Sequence, residues 1–335
     1  MEIKNDRNIN IDLAKGVAIL LVLFGHSLQY GYGSDYTGFW ENPLYKIIYS
    51  FHMPLFMLIS GYLFWYSYQK HGGLFVLKGR CRTLCYPIFS YGVIYSLPNL
   101  ILSRPISIKV TFFEWNLWFL WSIIISTIVT TAVFYCNKKF RLPEIVMIIV
   151  LFFSMMLFSD ENILAPHKYM LTYFVIGGVI CKYNLTRYAQ YSWIAIAAFL
   201  ILIGFYSNDT YIYVSKYFAL DGNLSYHIET NSYRFIVGLA GAFSAMQLIK
   251  WAYRITQKRQ WNTTNSILMW FGKNTLIIYF AQSLFYTFFY KLTTSYHGWY
   301  QPYALFLIAT AFSIIFVLMI QRFKIISILL FGKAY

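Results

Sequence analysis

The chain has 335 residues, of which 59% are hydrophobic, 21% aromatic and only 12% charged. Because a soluble domain carries about 25% charged residues, this composition excludes an ordinary water-soluble globule, a disordered chain and a small disulfide-bonded scaffold. The formal net charge of +15 is split among short clusters between apolar runs, which is typical of membrane-protein loops. We therefore expect membrane lipids around the protein and no nucleic acid as a partner.

Apolar runs follow one another along the whole chain, and most approach the length of about 20 residues that a membrane-spanning helix needs. In chain order they cover residues 11–30, 44–68, 83–102, 117–136, 145–158, 169–181, 191–206, 235–253, 267–290 and 303–320. The fifth and sixth are short. The sequence predicts an all-α, polytopic membrane protein of about ten transmembrane helices, with a single integral-membrane domain over residues 1–335.

The charges between these runs predict their orientation. With the N-terminus inside, about 20 of the 27 basic residues fall on the inner side, as positive-inside topology requires. The inner cations lie at residues 4–15, 70–82, 138–141, 182–187, 250–273 and 322–333, and the outer acids are Asp35, Glu41, Glu114, Asp160, Glu161, Asp209, Asp221 and Glu229. We expect both termini in the cytoplasm. The first run lacks a small-residue cleavage site, so we expect it to stay in the protein.

The first run carries ionisable side chains that point to a site. Lys15 and His26 are eleven residues apart, which places them on one helical face and about 16 Å apart along the axis. Asp12 falls on the same stripe, one turn further inward. Ionisable groups within a span are costly and usually face a polar interior. Alternatively, Lys15 is a cation at the inner boundary and His26 a packed, hydrogen-bonded histidine.

The second run carries His52 in its first half, and we predict this histidine at a depth similar to that of His26. Two histidines on neighbouring spans can form an acid/base pair or a proton relay. The alternative is an interfacial histidine that caps a helix started by Pro54. Before the third run, Arg80 and Arg82 form with Lys15 a candidate anion site for phosphates, or else they only set the topology.

Taken together, these segments resemble the membrane-bound acyltransferase 3 family. The stretch from Lys15 to His26 resembles its [Arg/Lys]-x10-His signature, and residues 51–64 resemble its second-span motif, closest to the fucose 4-O-acetylase-like branch. Residues 80–87, 118–120, 173–177 and 272–279 resemble further blocks, in the family's order. Two positions depart from the pattern: Lys15 replaces the commoner arginine, and Gln282 stands where relatives often carry a histidine.

The resemblance implies an O-acyltransferase, of the O-acetyltransferase type, in a bacterial inner membrane. It implies acetyl-CoA, or another acyl-CoA, as the donor substrate and a hydroxyl of a cell-surface glycan or lipid-linked sugar as the acceptor, with no permanently bound cofactor and no metal. His26 is then the general base, or alternatively an acylated nucleophile, and His52 orients the acceptor or relays the proton. The expected substrate-binding residues are Asp12, Lys15, Arg80, Arg82, Ser60, Trp118 and Asn274.

Other functions fit the same composition. Buried histidine and lysine side chains also suit a transporter or flippase of a lipid-linked sugar or small solute, although we find no inverted repeat. A third possibility is a non-catalytic scaffold in which the histidines only pack. The outer segment 207–234 either covers a site or merely connects two spans. The sequence does not identify the acceptor sugar, the acyl group or the oligomeric state.

Overall fold

The computed structural model describes residues 9–31, 38–103, 105–107, 111–112, 117–160, 164–220, 222–289 and 299–335. Several charged residues used for the topology, and the end of the ninth predicted span, lie outside these ranges: Lys4, Arg7, Asp35, Glu114, Glu161, Asp221 and Tyr290. Every predicted site residue lies inside them.

The described residues form helices and no strand. The helices are α1 Ile9–Gly31, α2 Pro43–His71, α3 Gly73–Ile101, α4 Trp118–Phe140, α5 Glu144–Met155, α6 Leu164–Lys182, α7 Ser192–Ile203, α8 Leu224–Lys258, α9 Asn262–Lys273, α10 Thr275–Phe289, α11 Gln301–Arg322 and α12 Lys324–Phe331. Short 3-10 helices lie at Gly38–Glu41, Leu185–Tyr191 and Asn208–Thr210.

Within the described ranges, six helices are long and apolar enough to cross a membrane: α1, α2, α3, α4, α8 and α11. The helices α5, α7 and α10 are apolar but shorter. These observations confirm the prediction of an all-helical, polytopic membrane protein. The number of ten spans and the cytoplasmic position of both termini stay predictions.

Helix boundaries differ from the prediction where a helix extends beyond its apolar stretch. The helix α8 begins at Leu224, not at residue 235, because Asn223 caps it by accepting the Tyr226 N–H at 3.2 Å and its polar first turns are partly buried. The connection between α7 and α8, which we predict on the outer side and call the outer connection, is therefore residues 204–223. The ninth predicted span is two helices, α9 and α10, which are separated at Asn274. The short α12 was not predicted; it packs on α3.

The helix α2 lies at the centre of the bundle and packs against α1, α3, α4, α6, α7 and α8. Its contact with α6 is a backbone contact: a Cβ on Gly61 would collide with the Phe174 carbonyl, and one on Gly177 with the Leu58 carbonyl. The helices α1 and α9 meet in the same way through Gly16 and Gly272. Small residues at such crossings let helices pack tightly where lipid supplies no hydrophobic driving force.

We predict that Gly61→Ala destabilises the protein, because the added methyl group forces α2 away from α6. Overpacking of this kind costs about 1–3 kcal/mol. Gly79→Ala is the matched control, since a Cβ at Gly79 meets nothing within 4 Å in α3. Thermal unfolding of both variants in detergent should show a lower midpoint for Gly61→Ala alone. Equal midpoints for the two variants would contradict the backbone contact.

Candidate active site

A cavity of about 400 Å³ lies between the C-terminal half of α1, the N-terminal half of α2 and the helices α3, α4 and α10. None of the described side chains that line it is a lysine, arginine, aspartate or glutamate. They are Val22, His26, Gln29, Tyr30, Trp40, Tyr45, Tyr49, His52, Met53, Tyr91, Leu117, Trp118, Tyr213, Tyr279, Gln282, Ser283, Tyr286 and Thr287. Half of these lining residues are tyrosine or tryptophan, and their rings form a large part of an uncharged wall.

The imidazole of His26 faces this cavity from α1. Its Nδ1 lies 2.7 Å from Oε1 of Gln282 on α10. Because an amide oxygen only accepts hydrogen bonds, Nδ1 carries the proton and donates it. In the neutral ring, Nε2 is then the unprotonated nitrogen with a free lone pair. The sequence-based placement of His26 at a polar interior, and not toward lipid, agrees with this geometry.

His52 lines the same cavity from α2 and is almost fully buried. Its Nδ1 lies 2.7 Å from the backbone carbonyl oxygen of Ile48, one turn earlier in the helix. A carbonyl oxygen also only accepts, so His52 has the same tautomer as His26, with Nε2 unprotonated. The alternative of a histidine that caps the helix start does not apply, because Asn42 caps α2 by accepting from Leu44 and Tyr45.

Hydrogen bonds and ring contacts join α1 to α10 beside His26. The hydroxyls of Ser27 and Tyr286 are 2.6 Å apart, and Tyr286 also donates to the Leu23 carbonyl at 2.9 Å. The Tyr286 ring stacks on Tyr30 with centroids 5.2 Å apart and meets the His26 ring edge-on at 5.5 Å. These contacts leave the His26 ring little freedom to turn.

The outer connection 204–223 forms part of the cavity wall. Tyr213 lines the cavity next to Trp118, with ring centroids 6.1 Å apart, and Tyr211 donates to the backbone of Trp40 at 3.0 Å. Burial raises the pKa of Tyr213 well above its ordinary value, so its phenol stays neutral. Of the two alternatives for this segment, the structure favours the one in which it covers a site.

Asp160 ties this connection to α6. Its carboxylate forms an ion pair with Lys168 and accepts the backbone N–H groups of Tyr217 at 2.5 Å and Phe218 at 2.7 Å. Both charged side chains are nearly buried, with 10% and 6% exposure. A buried charge needs such partners, since leaving it alone costs several kcal/mol. This ion pair therefore holds the segment that carries Tyr213.

The residues predicted to bind acyl-CoA lie away from the cavity. The helix α1 is unbroken, so the predicted spacing of about 16 Å between Lys15 and His26 holds along its axis. Asp12 is buried against α9, where its carbonyl meets Gly272, and Lys15 is half-buried. Neither residue lines the cavity, and their role in binding stays a prediction.

The structure does not bring Arg80 and Arg82 together. Arg80 turns into the bundle, donates to the Ser60 carbonyl at 2.8 Å and to Thr127 at 3.2 Å, and lies over the Phe64 and Phe174 rings. Arg82 is exposed. The physical reason is the helix itself, because residues two apart lie about 200° apart around its axis. The prediction that Arg80 and Arg82 form one phosphate site is therefore wrong.

Ser60 and Asn274 do not line the cavity, whereas Trp118 does. Ser60 contributes its carbonyl oxygen to Arg80. Asn274 sits at the break between α9 and α10, where its side chain donates to the Trp270 carbonyl at 2.8 Å and accepts from Gln321 of α11 at 3.0 Å. Substrate binding by Ser60 and Asn274 is thus without support from their positions.

Sequence reasoning missed the polar face of α10. Its cavity-lining residues follow the spacing i, i+3, i+4, i+7, i+8, which marks one face of a helix: Tyr279, Gln282, Ser283, Tyr286 and Thr287. A polar stripe on an otherwise apolar span was the available signal. Trp40 and Tyr213 gave no such signal, because they lie outside the apolar runs.

Comparison with known proteins gives the family of this chain. The sequence profile of the acyltransferase domain, acyltransferase 3, matches residues 8–322. The chain belongs to this family. It is 27% identical over 293 residues to nodulation protein NolL of Mesorhizobium japonicum, covering 83% of this chain and 76% of that protein. It is 52% identical over 59 residues to NolL of Sinorhizobium fredii, covering 18% and 16% respectively. No solved structure matches it.

Family membership confirms the resemblance given by the sequence motifs. The protein is a membrane acyltransferase, and the matched range contains both cavity histidines and all the predicted binding residues. The roles of individual residues are therefore argued from the geometry of the cavity.

We predict that Asp160→Asn lowers the thermal midpoint of the protein in detergent, because it leaves the Lys168 ammonium buried beside a neutral side chain. Breaking a buried pair costs about 3–5 kcal/mol. The double variant Asp160→Asn/Lys168→Met should recover part of the loss, since both charges are then removed. Asp209→Asn, on the exposed part of the same connection, is the control. A double variant no more stable than the single one would argue against the pair.

Proposed function

We propose that this protein is an O-acetyltransferase that moves an acetyl group from acetyl-CoA to a hydroxyl of a neutral sugar in a cell-surface glycan or a lipid-linked sugar. The observation that carries the proposal is the cavity that His26 lines among uncharged aromatic and hydroxyl side chains, with its Nδ1 bonded to Gln282, so that Nε2 is left unprotonated. We place the protein in a bacterial inner membrane, with membrane lipids around it and no permanently bound cofactor.

In the proposed reaction, Nε2 of His26 accepts the proton of the sugar hydroxyl as its oxygen attacks the thioester carbonyl carbon. The C–O bond of the ester forms, the C–S bond breaks, and the imidazolium returns its proton to the leaving sulfur. His52, whose Nε2 is also an acceptor, binds a neighbouring sugar hydroxyl and orients the attacking one. In this reaction, His26 can act as the base without a charged side chain beside it.

The cavity wall suits a neutral sugar. Aromatic rings such as Trp118 and Tyr49 can stack on the C–H face of a pyranose, while Gln29, Ser283 and Thr287 supply hydrogen bonds to its hydroxyls. A charged sugar would lose its hydration without gaining a counter-ion from the described lining. A volume of about 400 Å³ lies at the small end of ligand sites and favours one sugar ring with an acetyl group.

We assign acetyl-CoA to the opposite end of α1. In this proposal, Lys15 and Arg82 bind the phosphates of acetyl-CoA. Arg80 does not take part, because it forms hydrogen bonds within the bundle. The extended pantetheine arm then has to cover the distance of about 16 Å from Lys15 to His26. The sugar reaches His26 from the other end of the bundle.

We predict that His26→Gln lowers kcat for acetyl transfer by about 100- to 10,000-fold, the usual contribution of a general base. The assay uses purified protein, radiolabelled acetyl-CoA and deoxyhexose or hexose acceptors. His71→Gln is the control, because His71 is exposed at the end of α2. Thermal midpoints of both variants should match that of the unsubstituted protein, which separates lost chemistry from lost folding.

Three outcomes separate the proposal from its rivals. Label transfer that His26→Gln abolishes supports it. Sugar uptake into vesicles without any label transfer would make the protein a transporter or flippase. Normal acetylation in cells that carry a well-folded His26→Gln/His52→Asn variant would leave the histidines as packing residues, as in a scaffold.

We predict that Arg82→Ala raises the KM for acetyl-CoA about tenfold or more without changing kcat, because one charge-assisted hydrogen bond contributes about 1.5–3 kcal/mol. Lys138→Ala removes an exposed cation from the end of α4 and serves as the control. A KM for acetyl-CoA that is equal in both variants would remove Arg82 from the binding site.

A further inference from the structure

We infer that Gln282 is a positioning residue that selects the tautomer of His26 in which Nε2 is the base. The inference rests on the proposed function for its kinetic consequence, but the tautomer itself is a property of the folded protein. The side chain of Gln282 is fully buried.

The orientation of the Gln282 amide follows from its other contacts. Its NH2 group lies 3.3 Å from the backbone carbonyl oxygen of Tyr279 and 3.0 Å from the Ser283 hydroxyl. A carbonyl oxygen can only accept, so the amide nitrogen must be the atom that points to Tyr279. The amide oxygen is then fixed toward His26, and a flipped amide would place two acceptors against each other.

The fixed oxygen decides where the imidazole proton lies. At 2.7 Å from Gln282 Oε1, Nδ1 of His26 has to be the donor, since an unprotonated Nδ1 would repel the amide oxygen. The nearby hydroxyls of Ser27 and Tyr286 are engaged with each other and with the Leu23 carbonyl. Among the contacts of the described residues, the hydrogen bond that Nδ1 of His26 donates to Gln282 is thus the one that sets the His26 tautomer.

An amide is a suitable partner for this ring. It accepts the Nδ1 proton without bringing a fixed negative charge into a cavity whose described lining has none. His52 obtains the same tautomer from the backbone carbonyl of Ile48, which no substitution removes. His26 depends on a side chain, so its tautomer can be changed by replacing Gln282. The partner of a second ring nitrogen is known to control activity: enforcing the wrong tautomer in a serine protease costs about 10⁴-fold in kcat.

The test combines a spectroscopic and a kinetic measurement on the full chain in nanodiscs. In ¹⁵N-histidine-labelled protein, the His26 signals, assigned by their loss in His26→Gln, should show a protonated Nδ1 and an unprotonated Nε2. Gln282→Leu should give a mixture of tautomers and lower kcat about 10- to 100-fold, the usual effect of removing an orienting partner. KM for both substrates should stay within about twofold.

Gln282→Glu supplies the rescue in its neutral form, which burial favours. One oxygen of the protonated carboxyl group then accepts the Nδ1 proton, and its hydroxyl donates to the Tyr279 carbonyl as the amide NH2 does. This variant should restore the tautomer and a kcat within about tenfold of the unsubstituted protein. Gln247→Leu, the same replacement on α8 away from the cavity, is the control. If Gln282→Leu does not fold, Gln282→Met, which is unbranched and lacks the amide oxygen, takes its place.

An unchanged tautomer, or an unchanged kcat, in a folded variant without the amide oxygen would overturn the inference. So would a loss of kcat in Gln282→Leu that Gln282→Glu fails to rescue. A protein with no acetyl transfer at all would refute the proposed function instead, and the nitrogen spectra alone would then decide whether Gln282 sets the tautomer.

Discussion

A polar side chain inside a lipid-embedded bundle has no water to bind, so it must find its hydrogen-bond partner within the protein. This constraint accounts for the main features of the site. It ties Nδ1 of His26 to Gln282 and Nδ1 of His52 to a carbonyl of its own helix. It also draws Arg80 onto a backbone carbonyl and two phenylalanine rings. In both cavity-lining histidines, Nε2 is the ring nitrogen left without a proton.

The helices that carry the histidines are held where backbones touch. The helix α2 meets α6 through Gly61 and Gly177, and α1 meets α9 through Gly16 and Gly272. At each pair the backbones approach so closely that a single added methyl group would push the helices apart. A site built on such crossings is more precise than one built on loops, because the positions of its side chains follow from helix packing.

Periodicity was sufficient to predict the helical fold and one half of the site. The spacing from Lys15 to His26 identified two side chains on one unbroken helix. The motif around His52 identified a second histidine, which lines the same cavity as His26. The length of an apolar run did not predict helical residues that are polar, as at the start of α8. It also did not predict a helix too short to cross a membrane, as in α12. Arg80 and Arg82 looked like a pair in the sequence, yet their angular separation on α3 parts them. Gln282 was visible only as a departure, since its partner is 256 residues away in the chain.

The uncharged lining of the cavity has an electrical consequence. In the proposed reaction, a proton leaves the sugar hydroxyl, resides on one imidazole and ends on sulfur, all within a few ångströms. The chemical step therefore carries almost no charge through the field across the bilayer. Work against that field scales with the charge moved and the fraction of the potential crossed, about 2.3 kcal/mol for a full elementary charge at 100 mV. Acetylation of this kind would proceed at the same rate in an energised cell and in a depolarised one.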